Sequence, residues 1–292
     1  MKLFTGSLVA MVTPFRNGSL DEDALRNLTS WHIEQGTQGL VPVGTTGESP
    51  TLSSVEHKRV IEIVVNEAAG RVPVVAGAGS NNPAEAIEYS QHAQEVGADG
   101  LLHVAGYYNR PKQPGLYAHF KMVHDACELP IIVYNIPPRA IVDIEVETMA
   151  KLAELPRIVG VKDATCDLAR PLLERQSIDS EFTWLSGEDA TAVAYNAGGG
   201  DGCISVTANV APAMTAAMQK ACRDGDFVAA MAIQDKLMPL HSALFSEPSP
   251  AGVKYAVSRL GHCGVDCRVP VVALSEAAKS KIDQAMSGLQ LI

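Results

Sequence analysis

The sequence predicts an α/β protein, a (β/α)8 barrel followed by a helical C-terminal extension. Eight short apolar runs alternate with longer stretches of helical periodicity up to about residue 207. Repeated strand–helix–strand units form parallel sheets through right-handed crossovers, and eight such units close into a barrel. An open dinucleotide-binding sheet usually has fewer strands and a G-x-G-x-x-G motif after the first, and no such motif opens this chain.

The apolar runs are the predicted strands, because they are short and rich in β-branched residues. The clearest helix between them follows residue 53, where Ser53 and Glu56 have the S-x-x-E spacing of a capping box. Similar helical patterns cover residues 84–98 and 146–155. One apolar face of the first helix is formed by Val60, Ile61, Val64, Val65 and Ala68. The predicted strands lie within residues 7–14, 39–46, 73–79, 100–105, 130–137, 158–165, 182–189 and 202–207.

From about Ala211 onward the strand-like runs stop and the sequence predicts only helices. The first of them completes the barrel as its eighth helix. We therefore expect a barrel that carries the active site over residues 1–225, with residues 226–292 as a helical extension packed on it rather than an independent domain. The helical patterns cover residues 211–225, 226–245, 251–261 and 275–288.

The composition narrows the class of function. Of the 292 residues, 47% are hydrophobic and 19% are charged, which is typical of a globular protein with a sizeable core. The net charge of −10 disfavours binding to nucleic acid or to an anionic membrane, because both need a basic surface. The chain shows neither a signal-peptide pattern nor an apolar run that could span a bilayer, so we expect a cytoplasmic protein.

The six cysteines predict reduced thiols, because they show no C-x-x-C pairing and no regular spacing. His262, Cys263 and Cys267 could offer three metal ligands, but a structural zinc site normally has four ligands in paired spacing. We expect no metal and no cofactor.

A lysine at the end of the sixth apolar run is the first candidate catalytic residue. Lys162 follows residues 158–161, all apolar, where a charge is costly to bury. A lysine amine attacks a carbonyl only when unprotonated, so its ordinary pKa near 10.4 must fall by about three units to be half free near pH 7.5. Burial at the end of a strand favours this change. The alternative is a lysine that reaches solvent or pairs with Asp163, although alternation along a strand points Asp163 the other way.

Further candidates lie at the other strand ends, where the active site of such a barrel is built. Tyr134, on the neighbouring strand, is placed for proton transfer, or else is an amphipathic core residue. Thr45 and Thr46 lie in a glycine-bracketed turn that suits a carboxylate, and Arg139 offers a bidentate fork for a second one. The alternatives are a plain turn and a surface arginine. The complete set is Thr45, Thr46, Gly47, Glu48, Tyr107, Tyr108, Tyr134, Asn135, Arg139, Lys162, Gly187, Ile204 and Ser205.

Two motifs carry a resemblance to a known family. They are GLVPVGTTGESPTLSSVE over residues 39–56, and YNIPPRA over 134–140 together with GVKDA over 160–164. They resemble the pyruvate-dependent class I aldolases of the dihydrodipicolinate synthase and N-acetylneuraminate lyase superfamily. Weaker agreement covers essentially the whole chain. Arg139 and the Tyr107–Tyr108 pair resemble the synthase branch, which condenses pyruvate with aspartate-4-semialdehyde in lysine and diaminopimelate biosynthesis.

The resemblance implies a role for each site residue. Lys162 would form an imine with pyruvate, and Tyr134 would relay protons. Thr45 would link Tyr134 to Tyr108, the latter reaching in from a neighbouring subunit of a homotetramer, a dimer of dimers. The implied substrate contacts are Thr46 at the pyruvate carboxylate, Arg139 at the semialdehyde carboxylate, and Gly187 and Ile204 as pocket lining.

The resemblance also implies an inhibitory lysine site between subunits, which only some relatives have. Ser54 stands where lysine-sensitive relatives often have histidine, so the regulation stays open. His57 and Glu85 have the alternative role of helix-surface residues. The positions that match the lysine site are Ser49, His57, Asn81, Glu85 and Tyr107.

Two departures from the family pattern keep alternatives open. Gly106 replaces the proline that usually precedes the tyrosine pair, which loosens the backbone that aims Tyr108. Ala140 and Ile141 replace a hydroxyl residue and a glycine near the second substrate. A related aldolase or hydratase-aldolase with another aldehyde acceptor is therefore an alternative, since the fold does not fix the acceptor. A pyruvate-binding barrel without turnover is disfavoured, because such a protein has no physical reason to keep a desolvated lysine beside a proton relay.

Overall fold

The computed structural model describes Lys2 and residues 4–292. Over these residues, eight parallel strands form one barrel sheet with helices between the strands. Each predicted run overlaps one of these strands, so the predicted barrel is confirmed. The strands are Gly6–Ala10 (β1), Gly39–Val41 (β2), Val75–Gly77 (β3), Gly100–Val104 (β4), Ile131–Asn135 (β5), Ile158–Asp163 (β6), Thr183–Ser186 (β7) and Gly202–Ser205 (β8).

The strands follow one another around the barrel in chain order, and β1 pairs with both β2 and β8. The barrel closes between β2 and β3 through fewer contacts. There the Leu40 N–H donates to the Pro73 carbonyl at 2.9 Å, and the Gly77 N–H donates to the Pro42 carbonyl at 3.0 Å. Because all eight strands are parallel, their C-terminal ends meet at one end of the barrel.

The predicted helices are present, and the capping box is formed. The Ser53 N–H donates to the Glu56 carboxylate at 2.9 Å, and the Glu56 N–H donates to the Ser53 hydroxyl at 3.3 Å. Among the residues that the structure describes, no helix combines the length and the apolarity that a bilayer crossing requires. The helices are Glu22–Glu34 (α1), Ser54–Ala68 (α2), Pro83–Glu95 (α3), Gln113–Ala126 (α4), Pro137–Ala140 (α5), Val146–Ala153 (α6), Arg170–Glu174 (α7), Ala192–Ala197 (α8), Pro212–Arg223 (α9), Phe227–Leu244 (α10), Ala251–Arg259 (α11) and Glu276–Gly288 (α12).

Side chains of the strands alternate between the barrel interior and the surrounding helices. On β6, Val161 packs in the outer apolar layer, whereas Lys162 faces the interior beside Tyr134. Burial of each Leu, Ile or Val in the interior contributes about 1.5–3 kcal/mol to folding. The interior cluster consists of Phe4, Leu8, Ala10, Val41, Val75, Leu102, Ile132, Tyr134, Ala164, Leu185 and Ile204.

The C-terminal helices share an apolar core with the barrel. Val12 and Leu28, from the first strand–helix unit, belong to the same buried cluster as Leu237 and Leu240 of α10 and Ile282 of α12. The extension therefore buries its apolar surface against the barrel. The division of the chain at residue 225 stays a prediction.

Candidate active site

Lys162 lies at the C-terminal end of β6 with its side chain only 6% exposed. It pairs in register with Tyr134 of β5, and its Nζ atom lies 4.2 Å from the centroid of the Tyr134 ring. Within the described part of the chain, the amine has neither an ion pair nor a hydrogen bond. The amine contacts the face of the Tyr134 ring instead of a carboxylate.

Asp163 faces away from Lys162, toward the helix layer. Its carboxylate accepts a hydrogen bond from the Thr165 N–H at 2.8 Å. Burial raises the pKa of Asp163 above its usual range. The ion pair between Lys162 and Asp163, which the sequence left open, is not formed, so the lysine amine is free of a neighbouring carboxylate.

Tyr134 and Thr45 line one small cavity of about 30 Å³, which Ser49, Leu102 and Val104 also border. A cavity of this size holds about one water molecule. No hydrogen bond joins the two hydroxyl groups in the described structure. A proton passing between them therefore needs a water molecule or a substrate atom as a bridge.

The turn that carries Thr45 and Thr46 is closed by its own backbone. The Gly47 N–H donates to the Gly44 carbonyl, and the Glu48 N–H donates to the Thr45 carbonyl, both at 3.1 Å. Thr46 is buried, whereas Thr45 is partly exposed. Because this turn follows β2, both threonines lie at the end of the barrel that also carries Lys162.

Arg139 lies on the short helix α5, directly after β5. The sequence places Pro137 and Pro138 in its first turn, where a missing N–H costs nothing. The Arg139 side chain is exposed and has no ion-pair partner among the described residues. An unpaired guanidinium at this end of the barrel can bind a carboxylate through two parallel hydrogen bonds.

Gly187 and Ile204 border the same interior. The Gly187 N–H donates to the Asp163 carbonyl at 2.6 Å. A Cβ atom on Gly187 would lie 2.9 Å from the Cβ of Ala164, so this close approach of two chain segments requires glycine. Ile204 is 1% exposed and packs in the interior cluster that contains Tyr134.

Tyr108 projects away from its own barrel, with 89% of its surface exposed. Its φ of 66° is a left-handed conformation, which is unfavourable for tyrosine by about 1–2 kcal/mol. A Cβ on Gly106 would lie 3.2 Å from Cγ of Pro111, so a larger residue there would have to displace that ring. Tyr107, in contrast, packs partly against the outer apolar core.

Two of the lysine-site candidates have opposite environments. His57 is 3% exposed, so its alternative role as a helix-surface residue is wrong. Its ring stacks on Tyr89 with centroids 3.8 Å apart, and burial lowers the pKa of His57 to about 4. Glu85 is exposed, and its carboxylate accepts a hydrogen bond from the Ser80 hydroxyl at 2.5 Å.

The other lysine-site candidates lie on loops at the same end of the barrel. The Asn81 carbonyl accepts a hydrogen bond from the Asn109 amide at 3.0 Å, which ties the loop after β3 to the loop that carries Tyr107. Ser49 borders the cavity that Tyr134 lines.

A buried ion pair next to the threonine turn was not predicted from the sequence. Lys254 of α11 is 0% exposed and donates from Nζ to Oε1 of Glu48 at 2.7 Å. The signal for it was available, since Lys254 interrupts the apolar stretch AGVKYAV in the same way that Lys162 interrupts its strand.

A buried glutamate in α7, next to the strand β6 that carries Lys162, was not predicted either. Glu174 accepts a hydrogen bond from Nε1 of Trp184 at 3.0 Å. Burial, together with the nearby charge of Asp163, raises the pKa of Glu174 to about 7.

The three residues considered as metal ligands have other surroundings. The His262 ring lies against Trp31 with centroids 4.1 Å apart. Burial raises the pKa of Cys263 to about 12 and that of Cys267 to about 11, so both thiols stay protonated at neutral pH. In the described residues, no group of three His, Cys, Asp or Glu side chains is placed to hold a metal ion.

The fold and the site define a class of protein. A (β/α)8 barrel with a buried lysine at the end of its sixth strand has the arrangement that a Schiff-base-forming, class I lyase needs. A family model described as the dihydrodipicolinate synthetase family matches residues 3–289. The chain belongs to this family.

Individual relatives cover nearly the whole chain. A 4-hydroxy-tetrahydrodipicolinate synthase from Parvibaculum lavamentivorans is 60% identical over 290 residues, which are 99% of this chain and 100% of the relative. The chloride-inhibited dihydrodipicolinate synthase from Acinetobacter baumannii, complexed with pyruvate, has a TM-score of 0.96 and 41% identity over 99% of both chains. The Cyanidioschyzon merolae enzyme with lysine bound has a TM-score of 0.97 and 34% identity over 100% of both chains.

Proposed function

We propose that the protein condenses pyruvate with aspartate-4-semialdehyde, as a 4-hydroxy-tetrahydrodipicolinate synthase of lysine and diaminopimelate biosynthesis. The observation that carries the proposal is the amine of Lys162, buried at the end of β6 without a counter-ion and against the ring of Tyr134. The full-length similarity to synthases of this name supports the choice of substrates.

The chemistry starts with attack of the neutral Lys162 amine on the keto carbon of pyruvate. Nitrogen gives up a proton and the former carbonyl oxygen gains one, with the Tyr134 hydroxyl as the group that transfers it. Loss of water then leaves the imine. Transfer of a methyl proton to the Tyr134 oxygen converts the imine to an enamine. Its terminal carbon attacks the aldehyde carbon of the second substrate, and the aldehyde oxygen takes up a proton. Attack of the second substrate's amino group on the imine carbon then releases the Lys162 amine.

The two substrate carboxylates have separate partners. The turn with Thr45 and Thr46 offers hydroxyl and N–H groups to the carboxylate of pyruvate, close to Lys162. Arg139 has an exposed guanidinium without an internal partner, so it can hold the carboxylate of the semialdehyde. Gly187 and Ile204 complete the pocket lining.

The proton relay includes a second subunit in this proposal. Tyr108 is almost fully exposed on its own chain, so it is available to enter the barrel of a neighbour and reach Thr45 there. We propose a homotetramer, a dimer of dimers, in the cytoplasm. Apolar side chains that are exposed on the single chain and suit burial between subunits are Ile141, Leu168, Leu172 and Leu173.

Free lysine is the proposed effector of a site built by Ser49, His57, Asn81, Glu85 and Tyr107. Glu85 offers an exposed carboxylate to the ammonium group of lysine. His57, whose pKa burial lowers, is uncharged at neutral pH and does not repel that ammonium. The relative with lysine bound supports a site of this kind in the family.

A substrate comparison tests the proposed reaction. Pyruvate consumption is followed with aspartate-4-semialdehyde and, separately, with unsubstituted and hydroxylated aldehydes of similar length. The proposal predicts a kcat/KM about 10- to 100-fold higher for the semialdehyde, since only this substrate has a carboxylate for Arg139. Equal or greater turnover of another aldehyde would instead support a related aldolase.

A further inference from the structure

A buried ion pair joins the threonine turn to the C-terminal extension. Lys254 is 0% exposed and Glu48 is 4% exposed. The Nζ of Lys254 donates to Oε1 of Glu48 at 2.7 Å, across a separation of 206 residues in the chain. A charged pair at this depth is costly to desolvate, and removing one partner leaves the other as an uncompensated buried charge. The pair therefore fixes the turn relative to α11.

The Lys254 amine uses two of its three donor hydrogens within the protein. Besides Glu48, its Nζ donates to the Asp266 carbonyl and lies 4.2 Å from the centroid of the Phe15 ring. Because the side chain is 0% exposed, the amine cannot be reached by a substrate. Lys254 acts only through the groups that it holds.

The second oxygen of the Glu48 carboxylate is held by the same part of the chain. Its Oε2 accepts a hydrogen bond from the backbone N–H of Arg268 at 2.8 Å. The Arg268 guanidinium donates to the Thr51 carbonyl at 2.9 Å and pairs with Glu56 of α2. The segment after α11 thus holds the turn, the residues that follow it and the start of α2 together.

The backbone of Glu48 transmits this hold to the threonines. Its N–H closes the turn on the Thr45 carbonyl at 3.1 Å, and its own carbonyl accepts from the Thr51 N–H at 3.0 Å. Its φ of 58° lies in the left-handed region. A residue other than glycine keeps such a conformation only where its surroundings hold it. Here the bonds to its carboxylate hold it.

We propose that Lys254 is a positioning residue for the reaction, and this rests on the proposed function. Its pair with Glu48 keeps the turn in place, so that Thr46 can hold the carboxylate of pyruvate bound at Lys162 and Thr45 can serve the proton relay. A displacement of about 1 Å of a substrate-binding group can lower a rate about 100-fold. Arg139 lies on α5, away from this turn in the chain. Loss of the pair therefore lowers kcat/KM for pyruvate and leaves the binding of the second substrate unchanged.

Three variants test this role. Lys254→Met removes one charge, and Lys254→Met with Glu48→Gln removes both charges and leaves no unpaired ion in the interior. Lys279→Met is the matched control, a lysine of the same extension whose ion pair with Glu276 lies at the surface. We expect kcat/KM for pyruvate to fall about 10- to 100-fold in both Lys254 variants, with KM for the aldehyde unchanged. The Lys279→Met control should have the kcat/KM for pyruvate and the KM for the aldehyde of the wild-type protein.

For each variant and the wild-type protein, the midpoint of thermal unfolding and the borohydride-trapped pyruvate adduct are also measured. A purely structural role predicts a lower midpoint but wild-type kcat/KM for pyruvate in the folded enzyme, and this result would overturn the positioning role. If Lys254→Met does not fold, the double variant decides, because its interior carries no isolated charge. A wild-type protein without any adduct at Lys162 would overturn the proposed function as well, so the two failures are distinguishable.

Discussion

Lys162 and Tyr134 are register partners on adjacent strands, and the lysine amine lies 4.2 Å from the centroid of the tyrosine ring. The pair places a lysine amine against the ring of a tyrosine inside an apolar barrel. Its members are 28 residues apart in the chain, and they meet because consecutive strands of the barrel pair in parallel. The geometry follows from the fold and requires no additional element.

Replacement of Tyr134 by Phe removes the hydroxyl and keeps the ring under the Lys162 amine. General acid–base catalysis by a positioned group contributes about 100- to 10,000-fold, so we expect kcat to fall by at least about 100-fold. The thermal midpoint should change little, because the buried ring is retained. Steady-state kinetics and a thermal melt test both points. A Tyr134→Phe protein with wild-type kcat would exclude the hydroxyl as the proton-transfer group.

Replacement of Arg139 by Ala should separate the two substrates. Hydrogen bonds to a charged group contribute about 1.5–3 kcal/mol, so KM for aspartate-4-semialdehyde should rise about 10- to 100-fold. The pyruvate adduct at Lys162 should form as in the wild-type protein. Arg26→Ala is the control, a partly exposed arginine of α1 whose partner is Glu22. Loss of the pyruvate adduct in Arg139→Ala would show that Arg139 acts on the first substrate instead.

Tyr108 can be tested by mixing two inactive subunits. A Tyr108→Phe subunit lacks the relay tyrosine, and a Lys162→Ala subunit lacks the nucleophile. If Tyr108 enters the neighbouring barrel, a mixed dimer contains one site with both residues intact, and co-refolding should restore up to about half of the activity of each dimer. If Tyr108 serves its own barrel, each mixed site lacks one residue, and no activity should return.

Glu174 predicts a pH dependence of stability. Its pKa in the folded protein, about 7, lies above the ordinary value of 4.5. The stability that it contributes is therefore fully present below pH 4.5 and is lost as the pH rises through 7. The difference between these pKa values corresponds to a contribution of roughly 3 kcal/mol to the free energy of unfolding.

Glu174→Gln isolates this contribution, because the amide stays neutral and can still accept the hydrogen bond from Trp184. Urea unfolding of both proteins between pH 4.5 and 8 measures it. Over this pH range, the free energy of unfolding of the wild-type protein should fall by roughly 3 kcal/mol relative to that of the variant. If the free energy of unfolding changed with pH equally in both proteins, this would contradict a protonated Glu174 in the folded state.

Most of the barrel could be predicted from the sequence, because buried parallel strands give short apolar runs that are separated by helical periodicity. The same alternation identified Lys162, since a charge in such a run has few structural reasons to be there. The hairpin of Phe15–Arg16 with Ser19–Leu20 was not predicted, because two-residue strands leave no periodic pattern.

The contacts between distant segments could not be predicted. Glu48 and Lys254 lie far apart in the chain and meet only because α11 packs over the threonine turn. The burial of His57 could not be predicted, because a polar side chain on a helix gives no sign of whether it is buried. In the structure the His57 ring stacks on Tyr89. Local patterns predict elements, whereas these pairings depend on how the elements pack.

Borohydride trapping tests the central claim most directly. The protein is incubated with pyruvate and borohydride at neutral pH, digested, and its adduct is mapped by mass spectrometry, with Lys162→Ala in parallel. We expect one pyruvate-derived adduct per chain, on the peptide that contains Lys162, and none in the variant. An unmodified Lys162 in the wild-type protein, or an equal adduct in Lys162→Ala, would contradict an imine at this residue.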